Sequence, residues 1–425
     1  MNRFREMFVS LESRNFRLFF AGQAVSQTGE WAQRIGQAWL VLELSDSGVL
    51  LGATAALQAL PVLVIGPWGG LLADRIDKRR LMVCTQALAG VLALLLGALT
   101  ATGVVEIWMV LVLAVALGVL KALDHPARKN IVFEMVDQEH VVNAVTLDNV
   151  LFNVAKVFGP AVAGVLIAAV GLAASFYLNA ASYLAVIAAL LLMRTSELQS
   201  APRVARAPGQ VRAGFSYVAA TPRLLGPLLL MTVCGILAFE WAVTLPLLAR
   251  DAFGGDAQTF GAMFSAMGFG AIIGGLAAAS VLKPTTRSLL ITALGFSGFM
   301  MLTALAPTLP LVMFALVLLG GANTAFRAGA TALMQLRSVP QMRGRVMALL
   351  SVALMGTQPV GGPLLGWLAE LFGIRAVIAL GAAASAVSAI GSFVYVRRSG
   401  AASVVMPTRE RAEVSEALKA AAREP

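Results

Sequence analysis

Residues Gly69–Arg80 read GGLLADRIDKRR. An apolar run closes on two glycines, a lone acid, Asp74, follows, and Arg75, Lys78, Arg79 and Arg80 then crowd into six positions before a second apolar run, LMVCTQALAGVLALLL, opens at Leu81. A short basic turn between two apolar runs is the pattern of a loop joining two membrane helices. The same alternation fills the rest of the chain. Hydrophobic residues make up 59% of the 425 and charged residues 13%, against roughly 25% charge in soluble domains, and mean hydropathy is +0.82. Runs long enough to cross a bilayer, about 20 residues each, fall at 16–44, 48–72, 80–101, 105–125, 141–168, 172–193, 224–249, 258–282, 288–306, 309–333, 343–370 and 376–396. These are numbered spans 1 to 12. They predict an all-α polytopic membrane protein with both termini on one side.

The net charge of +10 raises the question of a nucleic-acid partner, and its distribution answers it. Arg3, Arg5 and Arg14, the 2/3 loop, Arg128 and Lys129, Arg194 to Arg223, Lys283 and Arg287, Arg337, Arg343, Arg345 and the tail all fall on one side of the spans, with only Arg250 and Arg375 on the other. The positive-inside rule therefore puts the termini and basic loops in the cytoplasm, and no nucleic-acid role is expected. Cys84 and Cys234 lie inside spans and read as small core residues, so no disulfide framework is implied. The N-terminus lacks a short apolar segment with a cleavage site, so span 1 is expected to be retained.

The chain repeats itself. GGLLADRIDKRRLM at Gly69 recurs in weakened form as GGLAAASVLKPTTRSLL at Gly274. Gly118 matches Gly321, Gln138 matches Gln341, and Gly159-Pro160 matches Gly362-Pro363, each pair 203 residues apart. The expected organisation is a six-helix half over 1–195, a cytoplasmic linker over 196–222, a second six-helix half over 223–397 and a charged tail over 398–425 to which no role is assigned.

The glycine–DR–basic-cluster loop between spans 2 and 3 resembles the loop signature of the major facilitator superfamily of transporters. Asp77 stands where that signature usually has a glycine, as in the exporter branch that includes siderophore, macrolide and multidrug, and lysophospholipid carriers. The resemblance implies twelve helices in two pseudo-symmetric halves, with the substrate held between them near mid-membrane. It also implies that Gly70, Asp74, Arg75 and Arg79 form a gating loop, with Asp74 capping the N-terminus of span 11 as an anion on a helix dipole. The second copy has Ala279 and Ser280 where that acid would be, so one such latch remains. The stretch from Gly159 through Pro160 to Gly164 in span 5 partly resembles the antiporter motif of drug exporters; small-residue helix packing is the alternative.

Polar residues inside the spans nominate the site. Gln23, Gln27, Glu30, Arg34 and Gln37 form one stripe on span 1, which is untenable against lipid. Glu30 is therefore a candidate for binding protons or substrate, and mutual neutralisation with Arg34, four residues on, is the plainer reading. Phe239-Glu240-Trp241 in span 7 mirrors Gly29-Glu30-Trp31. Glu240 is the leading candidate for a titrating carboxylate, because no basic residue lies within a turn of it on its own span. In span 5, Asn149, Asn153 and Lys156 share a face with Asp148 beside it; an intramembrane lysine is a functional-site hypothesis by default, and Lys156 is expected to meet Glu30, Glu240 or an anionic substrate. Span 4 ends in KALDHPARK, where Pro126 is expected to stop the helix. Adding the repeat offset to Asp124 reaches Arg327 in span 10, and a gating contact between them is expected in an outward-open state. His125 and His140 have no partners spaced as metal ligands, and no metal is expected.

Nothing resembles a Walker loop, a zinc pattern or a nucleophile elbow, so an enzyme is not expected, and neither is a cofactor beyond the proton as coupling ion. The expectation is a monomeric, proton-coupled antiporter in the bacterial inner membrane, exporting an amphipathic small molecule such as a drug or siderophore by alternating access. Contact with membrane lipid is expected throughout. A lysophospholipid transporter is the second reading, and a sensor or scaffold without transport is the reading from another class.

Overall fold

The computed structural model describes residues 7–199, 210–281 and 283–402, apart from the side chains of 67–75, 210–213, 279, 281 and 400–402. Among these residues the chain is helical without strands, and eleven segments are long and apolar enough to cross a membrane. Span 1 is the remaining long helix, Arg14–Ser45. Its 32 residues extend about 48 Å at 1.5 Å per residue, but its polar stripe lowers its hydropathy. Burial against spans 5 and 6 replaces lipid as its environment.

Spans 2 to 6 are Gly48–Arg75, Lys78–Ala101, Ile107–Met135, Val141–Val170 and Leu172–Leu191. Span 7 is split into Pro222–Leu237 and Trp241–Leu247, followed by a π-helical turn over Leu248–Ala252. Spans 8 to 10 are Ala257–Val281, Thr286–Leu305 and Leu309–Arg337; span 11 is split into Arg343–Met355 and Gln358–Phe372, and span 12 is Ile374–Ala402. The 2/3 turn is tight because Asp77 caps span 3, its carboxylate accepting from the Arg80 N–H at 3.1 Å. Gly171 (φ 97°) and Gly373 (φ 81°) make the turns into spans 6 and 12, a left-handed geometry that favours glycine.

Two expectations about single residues are corrected. Pro126 does not stop span 4, which runs on to Met135. A proline costs its helix one backbone hydrogen bond, and neighbouring helices allow that inside a membrane bundle. Lys121 and Asp124 consequently lie within the helix rather than at its end. Cys84 is exposed on span 3, whereas Cys234 is buried, with its Sγ 3.4 Å from Ser385 Oγ.

Glycine sets how close the helices come. Gly118 brings span 4 against Gln58 of span 2, and its repeat mate Gly321 brings span 10 against Gly270 of span 8. Two further seams join the first six spans to the last six. Span 2 lies on span 11, where a Cβ on Gly52 would collide with the Gly362 carbonyl and one on Gly366 with the Gly48 carbonyl. Span 5 lies on span 8, where a Cβ on Gly261 would stand 2.5 Å from the Pro160 carbonyl oxygen. Polar contacts reinforce both seams. Ser265 Oγ donates to the Val157 carbonyl at 2.8 Å, Ser47 Oγ and the Val49 N–H donate to Glu370 Oε1 at 2.7 and 3.1 Å, and Arg250 bridges Asp46 at 2.8 Å. The contacts of Asp46, Ser47, Val49, Arg250 and Glu370 lie at the end of the bundle away from the basic loops, and the Ser265–Val157 bond lies deeper. Toward the basic-loop end, Asn149 and Asn153 stay exposed on span 5.

Candidate functional site

Span 1 is seated on span 6 by Gly29 and Gly36, which leave room for Ser182 and Ser175. Gln33 accepts from Asn179 Nδ2 at 2.6 Å, which fixes the helix rotation. That rotation turns Glu30 toward span 4. Lys121 Nζ donates to Glu30 Oε1 at 2.6 Å and Arg34 Nη2 donates to the same oxygen at 3.0 Å. The Glu30–Arg34 neutralisation is therefore present, with Lys121 as a second cation on one carboxylate. Gln27 is buried on the same stripe, and among the described residues both of its amide atoms lack a partner.

Glu240 has a different environment. Span 7 loses its helix at Ala238–Glu240, and Glu240 becomes the residue preceding Trp241–Leu247. Gly361 of span 11 supplies the space for its side chain, since a Cβ there would stand 3.1 Å from Glu240 Cγ. The residue is only 3% exposed, and its Oε1 finds no hydrogen-bond partner among the described residues. The same holds for Trp241 Nε1 and Asn323 Oδ1. Phe239 packs on Phe296 and Phe326, with ring centroids 5.5 and 6.2 Å apart, so the break is walled by aromatic rings.

Lys156 lies on span 5, and among the described residues its ammonium has no hydrogen bond or ion pair. It pairs with neither Glu30 nor Glu240. The Arg34 guanidinium lies over Trp31 at 4.6 Å and that of Arg327 over Phe239 at 5.1 Å. Trp31 in turn packs on Phe264 and Phe152, at 5.3 and 6.1 Å. Asn153 donates to its own helix at Asn149, and Asp148 is held by Arg128 at 3.2 Å.

The gate residues separate in this arrangement. Asp124 accepts from Thr85 Oγ1 at 2.7 Å and Gln86 Nε2 at 3.1 Å, within its own half, and does not meet Arg327. Arg79 donates to the Leu190 and Leu191 carbonyls at 2.5 and 3.0 Å, anchoring the 2/3 loop to the end of span 6. The side chains of Gly70, Asp74 and Arg75 lie outside the described residues. Gly159 seats span 5 on Trp31, while Pro160 and Gly164 face Gly261 and Gln258 of span 8. Close packing is thus what this stretch does here. Among the described residues no group of three or more metal-ligating side chains occurs.

Two parts of the site escaped the sequence reading. Lys121 was placed at a helix end only because Pro126 suggested a stop; a lysine inside an apolar run demands an acid from another span, and that rule leads to Glu30. Glu370, which holds the N-terminus of span 2, carries no such signal.

A family model described as transmembrane secretion effector, in the major facilitator superfamily, matches residues 6–422. The chain belongs to that family. It is 25% identical over 363 residues to the staphyloferrin A transporter of Staphylococcus aureus, covering 84% of this chain and 90% of that one. It is 24% identical over 375 residues to macrolide efflux protein A of Streptococcus pyogenes, covering 85% and 90%. Among solved structures, a bacterial homolog of the human lysosomal transporter Spinster, inward-facing and unoccupied, superposes with a TM-score of 0.66 over 91% of this chain and 96% of that one at 15% identity. The fold is that of major facilitator transporters. The chain is a bacterial membrane protein of a transporter family.

Proposed function

We propose that this chain is a secondary active exporter, driven by protons, that carries an amphipathic small molecule of the drug or siderophore kind out of the cell. Its two halves rock about a site between spans 1, 4, 5, 7 and 10. By the positive-inside rule the basic loops and termini lie in the cytoplasm, so the contacts of Glu370 and Arg250 between the halves lie at the outer end. The similarity to a siderophore transporter and a macrolide efflux protein supports the substrate range.

The observation that carries the coupling is the contrast between the two glutamates. Glu30 is held by two cations, whereas Glu240 is buried at a helix break with an unpartnered oxygen. A carboxylate of the second kind exchanges a proton at little structural cost, because no ion pair has to be broken. One proton entering per neutral substrate leaving draws about 2.3 kcal/mol from 100 mV and about 1.4 kcal/mol from one pH unit. That supports an outward gradient on the order of several hundredfold.

Proton release from detergent-purified protein in weakly buffered solution, on adding a macrolide or a siderophore, tests the reading. Release is expected from wild type and from Glu30→Gln, and not from Glu240→Gln. Release that survives Glu240→Gln and vanishes in Glu30→Gln would assign the coupling to the ion-paired glutamate and overturn this choice. Flux that ignores a pH gradient would remove the coupling altogether.

A further inference from the structure

The two halves differ in how they hold their basic residues at the cytoplasmic end. In the first half the cations there meet acids: Lys78 pairs with Glu134 at 2.5 Å, Arg128 with Asp148 at 3.2 Å and Arg194 with Glu197 at 3.0 Å. Between 200 and 402 the sequence holds only four acids, Glu240, Asp251, Asp256 and Glu370. Glu240 lies at the break in span 7, and the other three lie toward the outer end. Arg223, Lys283, Arg287, Arg337, Arg343 and Arg345, at the cytoplasmic ends of spans 7 to 11, accordingly have no ion pair among the described residues. The positive-inside rule asks for a surplus of cations on this side. It does not ask that all counter-charge be missing, and in the first half counter-charge is present.

Direct contacts join these residues into one surface. Arg337, at the end of span 10, donates to the Arg223 carbonyl at 3.2 Å and to Thr286 Oγ1 at 2.5 Å, which ties the starts of spans 7 and 9 together. Arg343 Nε donates to the Gln335 carbonyl at 3.2 Å. The linker helix Gln210–Ala219 completes the surface: Tyr217 Oη accepts from the Val339 N–H at 3.3 Å, and a Cβ on Gly214 would stand 2.9 Å from Arg345 Cβ. These acceptors are neutral, so Arg337 and Arg343 are held in place with their charge uncompensated and with N–H groups to spare, each guanidinium having five. Leu336, Val339 and Phe215 are exposed among them. The tail is a poor source of counter-charge, since Glu410, Glu413, Glu416 and Glu424 are balanced by Arg409, Arg411, Lys419 and Arg423.

We propose that this surface binds anionic phospholipids of the inner leaflet, with their phosphates on Arg223, Arg287 and Arg337 and their acyl chains beginning at Leu336. The ends of membrane helices stand at the depth of the headgroups. A guanidinium fork there can grip a phosphate with two parallel bonds, and an exposed leucine beside it fits an amphiphile better than a free anion. The first half, with its cations already paired, offers no equivalent. The lipid is a bound partner of the second half and not the transported molecule, so the site stands apart from the one between the halves.

The test uses the full-length chain with Cys84→Ser, in which Cys234 is buried and leaves a single labelling position. A fluorophore at Leu336→Cys, or at Val142→Cys on the exposed cytoplasmic start of span 5, is placed in phosphatidylcholine vesicles. Quenching by phosphatidylglycerol with a nitroxide near the top of its acyl chain is compared with quenching by equally labelled phosphatidylcholine at the same mole fraction. Phosphatidylglycerol is expected to be enriched severalfold at Leu336→Cys, less so as salt rises, and not at Val142→Cys. Arg223→Gln with Arg287→Gln is expected to remove most of the enrichment, because each basic residue at an anionic surface changes binding about fivefold. Arg223→Lys with Arg287→Lys keeps the charge and is expected to keep most of the enrichment, which separates binding from a folding defect; Arg337 stays in place because it joins spans 7 and 9. Equal quenching by the two lipids at Leu336→Cys, equal enrichment at Val142→Cys, or enrichment that survives the double Gln variant overturns the proposal. Enrichment abolished by inorganic phosphate but not by chloride of the same ionic strength gives the site to free phosphate and overturns the lipid assignment.

Discussion

Replacing Gly52 by valine is predicted to drive the protein out of the conformation described here. A Cβ at Gly52 meets the carbonyl of Gly362 and stands 2.5 Å from the nitrogen of Pro363. Both are backbone atoms of span 11, which cannot rotate aside as a side chain would. Overpacking of this kind costs about 1–3 kcal/mol. The strain lies between the halves and not inside either one, so parting the seam relieves it. On the scale of 1.4 kcal/mol per factor of ten, the equilibrium moves by roughly 5- to 150-fold toward the form open at this end. The parted form gives up the Glu370 contacts to Ser47 and Val49, so the shift is expected nearer the lower figure. Spin labels at Thr102→Cys and Thr308→Cys, exposed positions beyond spans 3 and 9, measure the opening by electron–electron resonance in a Cys84→Ser background. A longer-distance population should appear with Gly52→Val and not with Gly298→Val, where an added Cβ meets nothing within 4 Å. An unchanged distance distribution in a folded Gly52→Val protein would refute the identification of this seam as the one that opens.

Two further outcomes follow from the same end of the bundle. Glu370→Gln replaces a carboxylate on the first N–H groups of span 2 by a neutral amide; for an exposed site at a helix N-terminus the loss is about 0.3–1 kcal/mol, so the same spin-label pair should show a shift of a fewfold or less, diminishing as salt rises. A shift as large as that of Gly52→Val would mean that Glu370, and not glycine packing, holds the seam. Asp256, outside the spans, caps span 8: the Thr259 N–H donates to it at 2.9 Å and holds its carboxyl below the usual aspartate range. A lowered folded-state value means that this stabilisation is present above about pH 4 and is lost as pH falls through the folded value. Asp256→Asn should therefore flatten the acid limb of the melting temperature measured between pH 3 and 6, and an unchanged limb would show that the cap contributes nothing.

Much of this protein is local, and local features are legible in a sequence. Whether 20 residues prefer lipid depends on their summed transfer energies, so twelve apolar runs announce themselves, eleven of them borne out as helices apolar enough to cross a membrane, and the basic turns between them set one side apart from the other. Gly118 and Gly321, matched in the repeat, each bring a helix of one pair close to the other. The polar stripe of span 1 required a buried face, and spans 5 and 6 provide it. Where the reading relied on a single local signal it failed: Pro126 suggested a helix end, but a proline's missing hydrogen bond is tolerable when other helices surround it.

Composition and periodicity alone thus determined that the chain is a helical membrane protein whose basic residues gather in one set of turns. Tertiary structure decided the partners. Glu30 and Glu240 occupy mirrored positions in the sequence, yet one is clasped by Lys121, ninety-one residues away in the chain, and the other lies unpartnered against Gly361. Lys156 could have reached either acid and pairs with neither among the described residues. The physical reason is that transfer into lipid constrains each helix separately, whereas a charge pair depends on the depth and rotation of two helices at once. Those are fixed by glycine contacts and buried amides, such as Gly29 on Ser182 and Gln33 on Asn179, which no periodicity within one helix records.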